Sequence, residues 1–350
     1  MSASIGERIV ITLVFGLITY IPYTSQLYVW IPWLKENNGH LYVILCIYNI
    51  FILSIWTNYL YLLITTPGYP PSTWKPIGNM TELKKSKRKP RYCQICRQFK
   101  PPRSHHCSNC DKCICKMDHH CPWIGGCVGY NNQGHFVRFL ISVSLGTFMT
   151  LILHSWRIYD WSYYPYNPWI HSNEGFKLIL FLMSNFFLAL IVFVPVTFLA
   201  VNHVYYVINN LTTIEDLEKN RSILVEIDGI IKEISKPYYI DKYTNVCAVL
   251  GRKWYLWWFP QRLLGKGVFY PIRPDAIGFD PSTEEVKEEK PLPSHVRRGS
   301  EGYEVDTMQL QRKLLGSDIE ESDFNSSGSV SLVSDDDIPL HLQQLEKKDK

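Results

Sequence analysis

Four long apolar segments lie in the N-terminal part of the chain, and a polar, cysteine-rich segment separates the second from the third. A helix needs roughly 20 mostly apolar residues to cross about 30 Å of hydrocarbon. The pattern therefore predicts a mainly α, polytopic membrane protein with four transmembrane helices. The spans are expected near Ile9–Trp30, Leu41–Ile64, Phe136–Trp156 and Phe176–Val201.

The first apolar segment has an alternative interpretation as a cleaved signal peptide. Its apolar stretch is longer than the roughly 7–15 residues of a signal peptide core. No small-residue cleavage motif is evident after it. We therefore expect a membrane anchor.

Basic residues indicate which side of the membrane each loop occupies. Twelve Lys and Arg residues lie between Thr65 and His135, whereas the loops at 31–40 and 157–175 contain one each. Short loops rich in Lys and Arg stay in the cytosol. The cysteine-rich loop is therefore predicted to be cytosolic, and four spans place both termini on the same side.

Composition supports this organisation and adds a tail. Charged residues make up 19% of the chain, below the roughly 25% of soluble domains. Beyond about Phe279, Ser, Glu and Asp dominate, which is typical of a disordered segment. The predicted regions are transmembrane helices 1 and 2 at 1–64, the cysteine-rich module at 65–135, helices 3 and 4 at 136–201, a cytosolic C-terminal region at 202–278 and an acidic disordered tail at 279–350.

Eight of the ten cysteines fall between Cys93 and Cys127, together with four histidines. Such clustering in a reducing compartment indicates metal binding or catalysis rather than disulfides. A Cys-x2-Cys pair places two thiolates on one tight turn, which suits a tetrahedral zinc ion. Two closed sites need eight ligands, so twelve candidates leave some thiol and imidazole for chemistry. Spacing alone leaves open which residues those are.

A purely structural zinc module that binds a protein or a nucleic acid is the alternative. The basic run from Lys84 to Arg91 would then be the nucleic-acid contact. Because the run lies beside a predicted membrane surface, we expect it to meet anionic lipid or water. We therefore predict no nucleic-acid partner.

The string Asp118-His119-His120-Cys121-Pro122-Trp123 resembles the signature of the DHHC protein S-acyltransferases, or protein palmitoyltransferases. The spacing of the whole cysteine-rich segment, and its place between the second and third of four spans, are similar to that family. Thr212–Glu215 resembles the family's TTxE motif. Asn245, preceded by Tyr239 and Tyr243, resembles its C-terminal aromatic and Asn element.

Two features differ from the family pattern. Thr66-Pro67-Gly68 stands where the family often has Asp-Pro-Gly, so the turn is kept and the carboxylate is lost. Cys115 is an additional thiol, either a structural spare or a site of side acylation. We expect it to be a spare.

The resemblance implies two structural zinc ions and a set of catalytic residues. One zinc would be bound by Cys93, Cys96, His106 and Cys113, and the other by Cys107, Cys110, His120 and Cys127. A fatty acyl group, typically palmitoyl, would move from acyl-CoA to protein cysteines through an acyl-enzyme on Cys121. His119 would be the base and Asp118 would orient it. Thr213 would hydrogen-bond Asp118.

Four further residues are candidates for contacts with the acyl donor. Lys100, Arg103 and His105 form a basic group that can meet coenzyme A phosphates. A solvated basic face is the alternative. Trp123 is predicted to form a wall of the acyl cavity, with plain core packing as its alternative.

The main prediction is therefore an S-acyltransferase in the lipid bilayer of an endomembrane such as the ER, Golgi or vacuole. Its substrates would be proteins with cytosolic, membrane-proximal cysteines. A catalytically silent zinc-containing membrane scaffold is the competing hypothesis. A RING-like membrane ubiquitin ligase is a weaker one, because the Asp-His-His-Cys string is not its signature. The pair of Cys121 and His119 favours the enzyme, since a scaffold has no need of it.

Overall fold

The computed structural model describes residues 4–36, 41–76, 81–84, 89–163, 173–218, 223–227, 230–261, 263, 265–272, 296–298 and 304–306. Within these ranges, four helical rods are long and apolar enough to cross a membrane. They are Ile5–Lys35, Tyr42–Ile64, Gln133–Ser162 and Gly175–Asn209. The predicted fold class and its four spans are therefore confirmed, and three of the rods extend beyond the predicted ends.

The first rod consists of three helical pieces. They are α1 (Ile5–Thr24), a π-helical turn (Ser25–Trp30) and α2 (Ile31–Glu36). A capping box starts α1: the Ser4 hydroxyl accepts from the Glu7 amide, and the Glu7 carboxylate accepts from the Ser4 amide. Pro22 lies inside α1, shortly before the π turn. Its missing N–H removes one helical hydrogen bond, which favours a local change of helix type.

The other three rods contain α3 (Leu41–Ile64), α4 (Gln133–Tyr163) and α5 (Asn173–Asn209). Of the four rods, the one formed by α4 is the most buried, because α4 packs against both α3 and α5. Polar side chains pair inside the bundle, as in the 2.9 Å contact between the hydroxyls of Tyr48 and Thr150. Such pairs hold helices together where lipid offers no hydrogen-bond partner.

The segment between α3 and α4 contains three antiparallel hairpins. They are β3 (Tyr92–Cys93) with β4 (Gln98–Phe99), β5 (His105–Cys107) with β6 (Lys112–Ile114), and β7 (His119–Cys121) with β8 (Gly126–Val128). A further sheet has the order β10-β9-β1-β2, in which β1 is Thr81–Lys84, β2 is Lys89–Pro90, β9 is Ile223–Ile227 and β10 is Ile230–Ile234. This sheet was not predicted, and it joins the C-terminal region to the cysteine-rich module.

The chain after α5 continues with two short helices, α6 (Thr213–Leu217) and α7 (Lys242–Leu250). Asn245 of α7 is fully buried. Its side chain donates to the Ile208 carbonyl at 2.9 Å and accepts from the Ile240 amide at 3.2 Å. This one amide therefore fastens α7 to the end of α5.

Residues 284–350 form a separate unit. Within it, β11 (Val296–Arg298) pairs antiparallel with β12 (Glu304–Asp306). Apart from these two strands, the predicted disordered tail at 279–350 lies outside the described residues. The disorder of the tail stays a prediction.

Candidate active site

Strand β7 carries three consecutive residues that point in two directions. Side chains alternate between the two faces along a strand, so His119 and Cys121 share one face and His120 points to the other. His120 lies opposite Cys127 of β8. One strand therefore serves a metal-binding cluster on one face and the candidate nucleophile on the other.

The second cluster consists of Cys107, Cys110, His120 and Cys127. The Nδ1 atom of His120 lies 3.5, 3.4 and 3.6 Å from the sulfurs of Cys107, Cys110 and Cys127, respectively. The sulfurs of Cys110 and Cys127 are 3.6 Å apart. A zinc tetrahedron with Zn–S near 2.3 Å and Zn–N near 2.0 Å has edges of about 3.5–3.8 Å. The four groups therefore fit a single zinc ion.

The first cluster consists of Cys93, Cys96, His106 and Cys113. The Nδ1 atom of His106 lies 3.6, 3.3 and 4.0 Å from the three sulfurs, taken in chain order. His106 lies opposite Cys113 in its hairpin. Each cluster therefore combines a Cys-x2-Cys turn with a cross-strand His/Cys pair from the next hairpin, and each can hold a metal ion.

The two Cys-x2-Cys turns have the same backbone shape. The residue after the second cysteine is Arg97 in one turn and Asp111 in the other, with φ angles of 51° and 50°. This left-handed region costs a residue with a side chain about 1–2 kcal/mol. Equal strain at equivalent positions indicates that both turns present their thiols in the same way.

Asp118 is fully buried and contacts the Nδ1 side of the His119 ring. Its Oδ2 atom lies 2.6 Å from Nδ1 of His119. Thr213 donates to the same carboxylate through its amide at 3.0 Å and its hydroxyl at 2.8 Å. Burial opposes ionisation, but the hydrogen bond and charge of His119 outweigh burial and hold the pKa of Asp118 below its ordinary value.

The Cys121 thiol lies close enough to interact electrostatically with His119. Burial disfavours the charged form of the imidazole, but the contacts with Asp118 and Cys121 outweigh burial and raise the pKa of His119 to about 9. Cys121 is 3% exposed and packs in an apolar cluster with Val14 of α1 and Tyr59 of α3. Asp118 and His119 are thus hydrogen-bonded to each other, and the Cys121 thiol lies on the same strand face, among the membrane helices.

His203, near the end of α5, joins this group and was not predicted from the sequence. One of its ring nitrogens lies within 4.8 Å of ligand atoms of Asp118 and His119. The side chain is 1% exposed, and its Nδ1 has no hydrogen-bond partner among the described residues. The signal in the sequence was an ionisable residue at the end of an apolar span, where such residues are rare and functional.

Arg103 lies inside the protein, which argues against its predicted contact with coenzyme A phosphates. Its side chain has no solvent exposure. The guanidinium binds both carboxylate oxygens of Glu215 at 2.7 Å, and the side-chain and main-chain oxygens of Asn210 at 2.9 Å. The ring of Tyr238 lies 4.5 Å away. The guanidinium N–H groups that were expected to meet phosphate therefore bind residues in the segment that follows α5.

The other three candidates for contacts with the acyl donor lie in different environments. Lys100 is 9% exposed, whereas Trp123 is 54% exposed. The Trp123 carbonyl accepts a hydrogen bond from the Tyr59 hydroxyl at 3.0 Å. Burial and the charges of Arg91 and Lys100 hold the pKa of His105 well below its ordinary value. His105 is therefore a neutral group at pH 7, and Trp123 alone presents a large surface.

The turn after α3 contacts the extra cysteine. Gly68 has a φ of 98°, which favours glycine, and its carbonyl accepts from the Cys115 amide at 2.9 Å. Cys115 is fully buried, and burial raises the pKa of its thiol to about 11. The thiol is therefore protonated at neutral pH, and its role as a structural spare stays a prediction.

Comparison with known proteins gives a consistent set of relatives. Residues 86–220 match the sequence profile of the family described as DHHC palmitoyltransferase. Palmitoyltransferase PFA4 of Mycosarcoma maydis is 33% identical over 295 residues, which cover 76% of this chain and 61% of that protein. Palmitoyltransferase PFA3 of Saccharomyces cerevisiae is 32% identical over 202 residues, 53% of this chain and 58% of that protein. Probable protein S-acyltransferase 14 of Arabidopsis thaliana is 28% identical over 295 residues, 76% of this chain and 91% of that protein. The chain thus spans about three fifths of the length of these two fungal relatives.

Proposed function

Because the chain belongs to the DHHC palmitoyltransferase family, we propose that it is a protein S-acyltransferase. In this proposal a fatty acyl group, typically palmitoyl, passes from acyl-CoA to Cys121 and then to a cysteine of a protein substrate. The observation that supports it best is the line of hydrogen bonds from Thr213 through Asp118 to His119, which shares one face of strand β7 with Cys121. A scaffold protein has no use for this arrangement.

The first proposed step loads the enzyme. His119, whose pKa is raised to about 9, holds the proton taken from the Cys121 thiol as an imidazolium, and the Cys121 thiolate attacks the carbonyl carbon of the acyl-CoA thioester. A C–S bond to Cys121 forms as the C–S bond to coenzyme A breaks, and the His119 imidazolium returns its proton to the leaving thiolate. The buried Asp118 carboxylate orients the ring and stabilises its positive charge.

The second proposed step unloads the enzyme. A substrate cysteine gives its proton to His119 and attacks the acyl carbonyl on Cys121. The new thioester forms as the bond to Cys121 breaks, and Cys121 is reprotonated. Each step exchanges one thioester for another, so neither step needs a further source of energy.

The fatty chain is proposed to lie among the membrane helices. The Cys121 side chain packs in an apolar cluster with Val14 and Leu62. An apolar cavity between α1, α3 and α4 is lined by residues that include Ile18 and Gly146. Trp123 is proposed as a wall beside the thiol, and Lys100 and His105 as the side that meets coenzyme A.

Both clusters are proposed to bind structural zinc. Their thiolate and imidazole groups fill all four positions of a tetrahedron, which leaves none for a substrate. Zinc would therefore supply folding energy, and chelation should unfold the hairpins. The distances from each histidine Nδ1 to its three sulfurs support this assignment.

The charge distribution supports a cytosolic position for the cysteine-rich loop and both termini, and the membrane is proposed to be an endomembrane. The loop between α3 and α4 carries the basic residues, and the other two short loops carry few. Protein substrates are therefore proposed to present cysteines at the cytosolic membrane face. The acyl donor would keep its coenzyme A in water and its chain in lipid-like surroundings.

A labelling experiment tests the proposal. Detergent-purified protein is incubated with radiolabelled palmitoyl-CoA, and the bound label is then treated with neutral hydroxylamine, which cleaves thioesters. Wild type should carry hydroxylamine-sensitive label, and Cys121→Ser should carry none. Label should then pass to a cysteine peptide anchored in vesicles.

Cys115→Ser is the matched control, because it removes a buried thiol from the same module. It should label as wild type does. Equal labelling of wild type and Cys121→Ser would exclude Cys121 as the acyl carrier. A wild type that takes no label from acyl-CoA would favour the silent scaffold instead.

A further inference from the structure

Glu7, at the start of the first membrane helix, contacts the second cluster. Its Oε1 atom lies 2.8 Å from Nε2 of His120. Its Oε2 atom accepts from the Ser4 amide at 2.7 Å. The carboxylate thus has one oxygen on its own helix cap and the other on a cluster residue 113 positions away. Glu7 lies outside the family match at residues 86–220.

The two ring nitrogens of His120 have separate partners. Nδ1 faces the three cluster sulfurs at 3.4–3.6 Å, and Nε2 faces Glu7. A histidine that binds a metal through Nδ1 keeps its proton on Nε2, so Nε2–H donates to the carboxylate. Such carboxylate contacts fix the ring orientation and strengthen the metal bond.

The first cluster offers a natural contrast. Nε2 of His106 lies 3.6 Å from Asp111 Oδ1, which is too long for a hydrogen bond. The Asp111 side chain is 80% exposed, whereas that of Glu7 is 17% exposed. Among the described residues, only the second cluster therefore has a carboxylate that lies within hydrogen-bonding distance of its histidine and is largely shielded from solvent.

We propose that Glu7 is a positioning residue that orients His120 toward the metal of the second cluster and ties the catalytic strand to the first membrane helix. The same helix packs on the turn at Pro122–Ile124, and its Val14 lies in the apolar cluster around Cys121. Movement of α1 is therefore coupled to the metal site and to the nucleophile. The proposal rests on zinc occupancy of the second cluster.

The test measures zinc release from each cluster separately. Purified wild-type and variant proteins in detergent are mixed with excess chelator, and freed thiols are alkylated at timed intervals. Mass spectrometry of the Cys107/Cys110/Cys127 and Cys93/Cys96/Cys113 peptides then gives one release rate for each cluster. Glu7→Ala should speed release from the second cluster about 10–100-fold and leave the first cluster unchanged.

Three variants separate orientation of His120 from other effects. Glu7→Gln keeps an acceptor oxygen without the charge, so it should fall between wild type and Glu7→Ala. Ser4→Ala breaks the helix cap but keeps the contact with His120, so its release rates should equal those of wild type. Asp111→Asn is the equivalent change at the first cluster, and it should also leave both rates unchanged.

Three outcomes overturn the proposal in distinguishable ways. Wild-type protein that contains no zinc would contradict the metal assignment itself. Wild type with about two zinc ions, together with Glu7→Ala that releases both at wild-type rates, would contradict the role of Glu7 alone. If Ser4→Ala released zinc from the second cluster as fast as Glu7→Ala, the effect would come from loss of the helix cap, and this would also overturn the proposal.

Discussion

The two clusters have the same set of donors, three cysteines and one histidine, but different surroundings. The first lies on hairpins that carry none of the three catalytic candidates, and its histidine has an exposed carboxylate at 3.6 Å. The second shares strand β7 with His119 and Cys121, and Glu7 contacts its histidine at 2.8 Å. Equal donor sets therefore do not imply equal roles. We infer that the first cluster maintains the fold of the module and the second also positions the reaction.

The largest difference in the rate of acyl-enzyme formation is expected between a variant that removes one ligand of the first cluster and a variant that removes one ligand of the second. Cys113 and Cys127 are matched, because both are buried and each lies opposite its cluster histidine. Each Ala variant should lose about one of two zinc ions. Because general acid–base catalysis contributes about 10²–10⁴-fold, Cys127→Ala should slow acyl-enzyme formation at least about 100-fold. Cys113→Ala should slow it about tenfold.

Zinc content and the rate of hydroxylamine-sensitive labelling are the two measurements. Cys121→Ser sets the background of the labelling assay. Equal rate losses in Cys113→Ala and Cys127→Ala would remove the distinction between the clusters, since the module would then act as one indivisible unit.

A smaller effect on the labelling rate is expected when Thr213, which contacts Asp118, is changed. Thr213→Ala removes the 2.8 Å hydrogen bond to Asp118 but keeps the amide donor of the same residue. A hydrogen bond to a charged group contributes about 1.5–3 kcal/mol, or about 10–150-fold in rate. Because the amide donor remains, labelling should slow by the low end of that range, roughly tenfold. Zinc content should stay at the wild-type value, because neither cluster loses a ligand.

Thr213→Ser is the matched control, because it restores the hydroxyl without the methyl group. Its labelling rate should return close to that of wild type. A Ser variant as slow as the Ala variant would show that packing of the methyl group matters, and not the hydrogen bond.

Arg103, close in the chain to the first cluster, is expected to affect stability rather than donor binding. Arg103→Lys keeps the charge but cannot bind both oxygens of Glu215 in parallel. We expect the melting temperature of the purified protein to fall by several degrees, while the KM for acyl-CoA stays unchanged. A raised KM with an unchanged melting temperature would restore the original prediction of a phosphate contact.

Glu215→Gln tests the same pair from the other side. Because the two side chains contact each other directly, the double variant Arg103→Lys/Glu215→Gln should lose less stability than the sum of the losses in the two single variants. Full additivity would contradict a direct energetic link between the module and α6.

Arg103 also marks what could be predicted from the sequence. The four spans were predictable because apolar length is a local property of the chain. The two sets of four ligands, implied by the resemblance, are brought together in the structure as the same two sets. The burial of Arg103 could not be predicted because its partners, Asn210 and Glu215, are more than 100 positions away, and no local pattern reports such a pair.

Two further residues were missed for the same physical reason. His203 reaches the catalytic group through the packing of α5, and Glu7 reaches His120 through the packing of α1. Their roles depend on how membrane helices meet the module. Spacing within the module contains no information on that contact.

The smallest effect is expected at Cys115, the thiol that belongs to neither cluster. It is fully buried, and its backbone pairs with Gly68 and Tyr130 whatever its side chain is. Cys115→Ala should therefore keep about two zinc ions and a wild-type labelling rate, with a stability loss of about 1 kcal/mol from the small cavity. Loss of one zinc would instead place Cys115 among the ligands, and loss of part of the label would make it a second acyl site. Either result would mean that the eight residues of the two clusters do not account for the metal chemistry of the module, or that Cys121 does not account for all of its acylation.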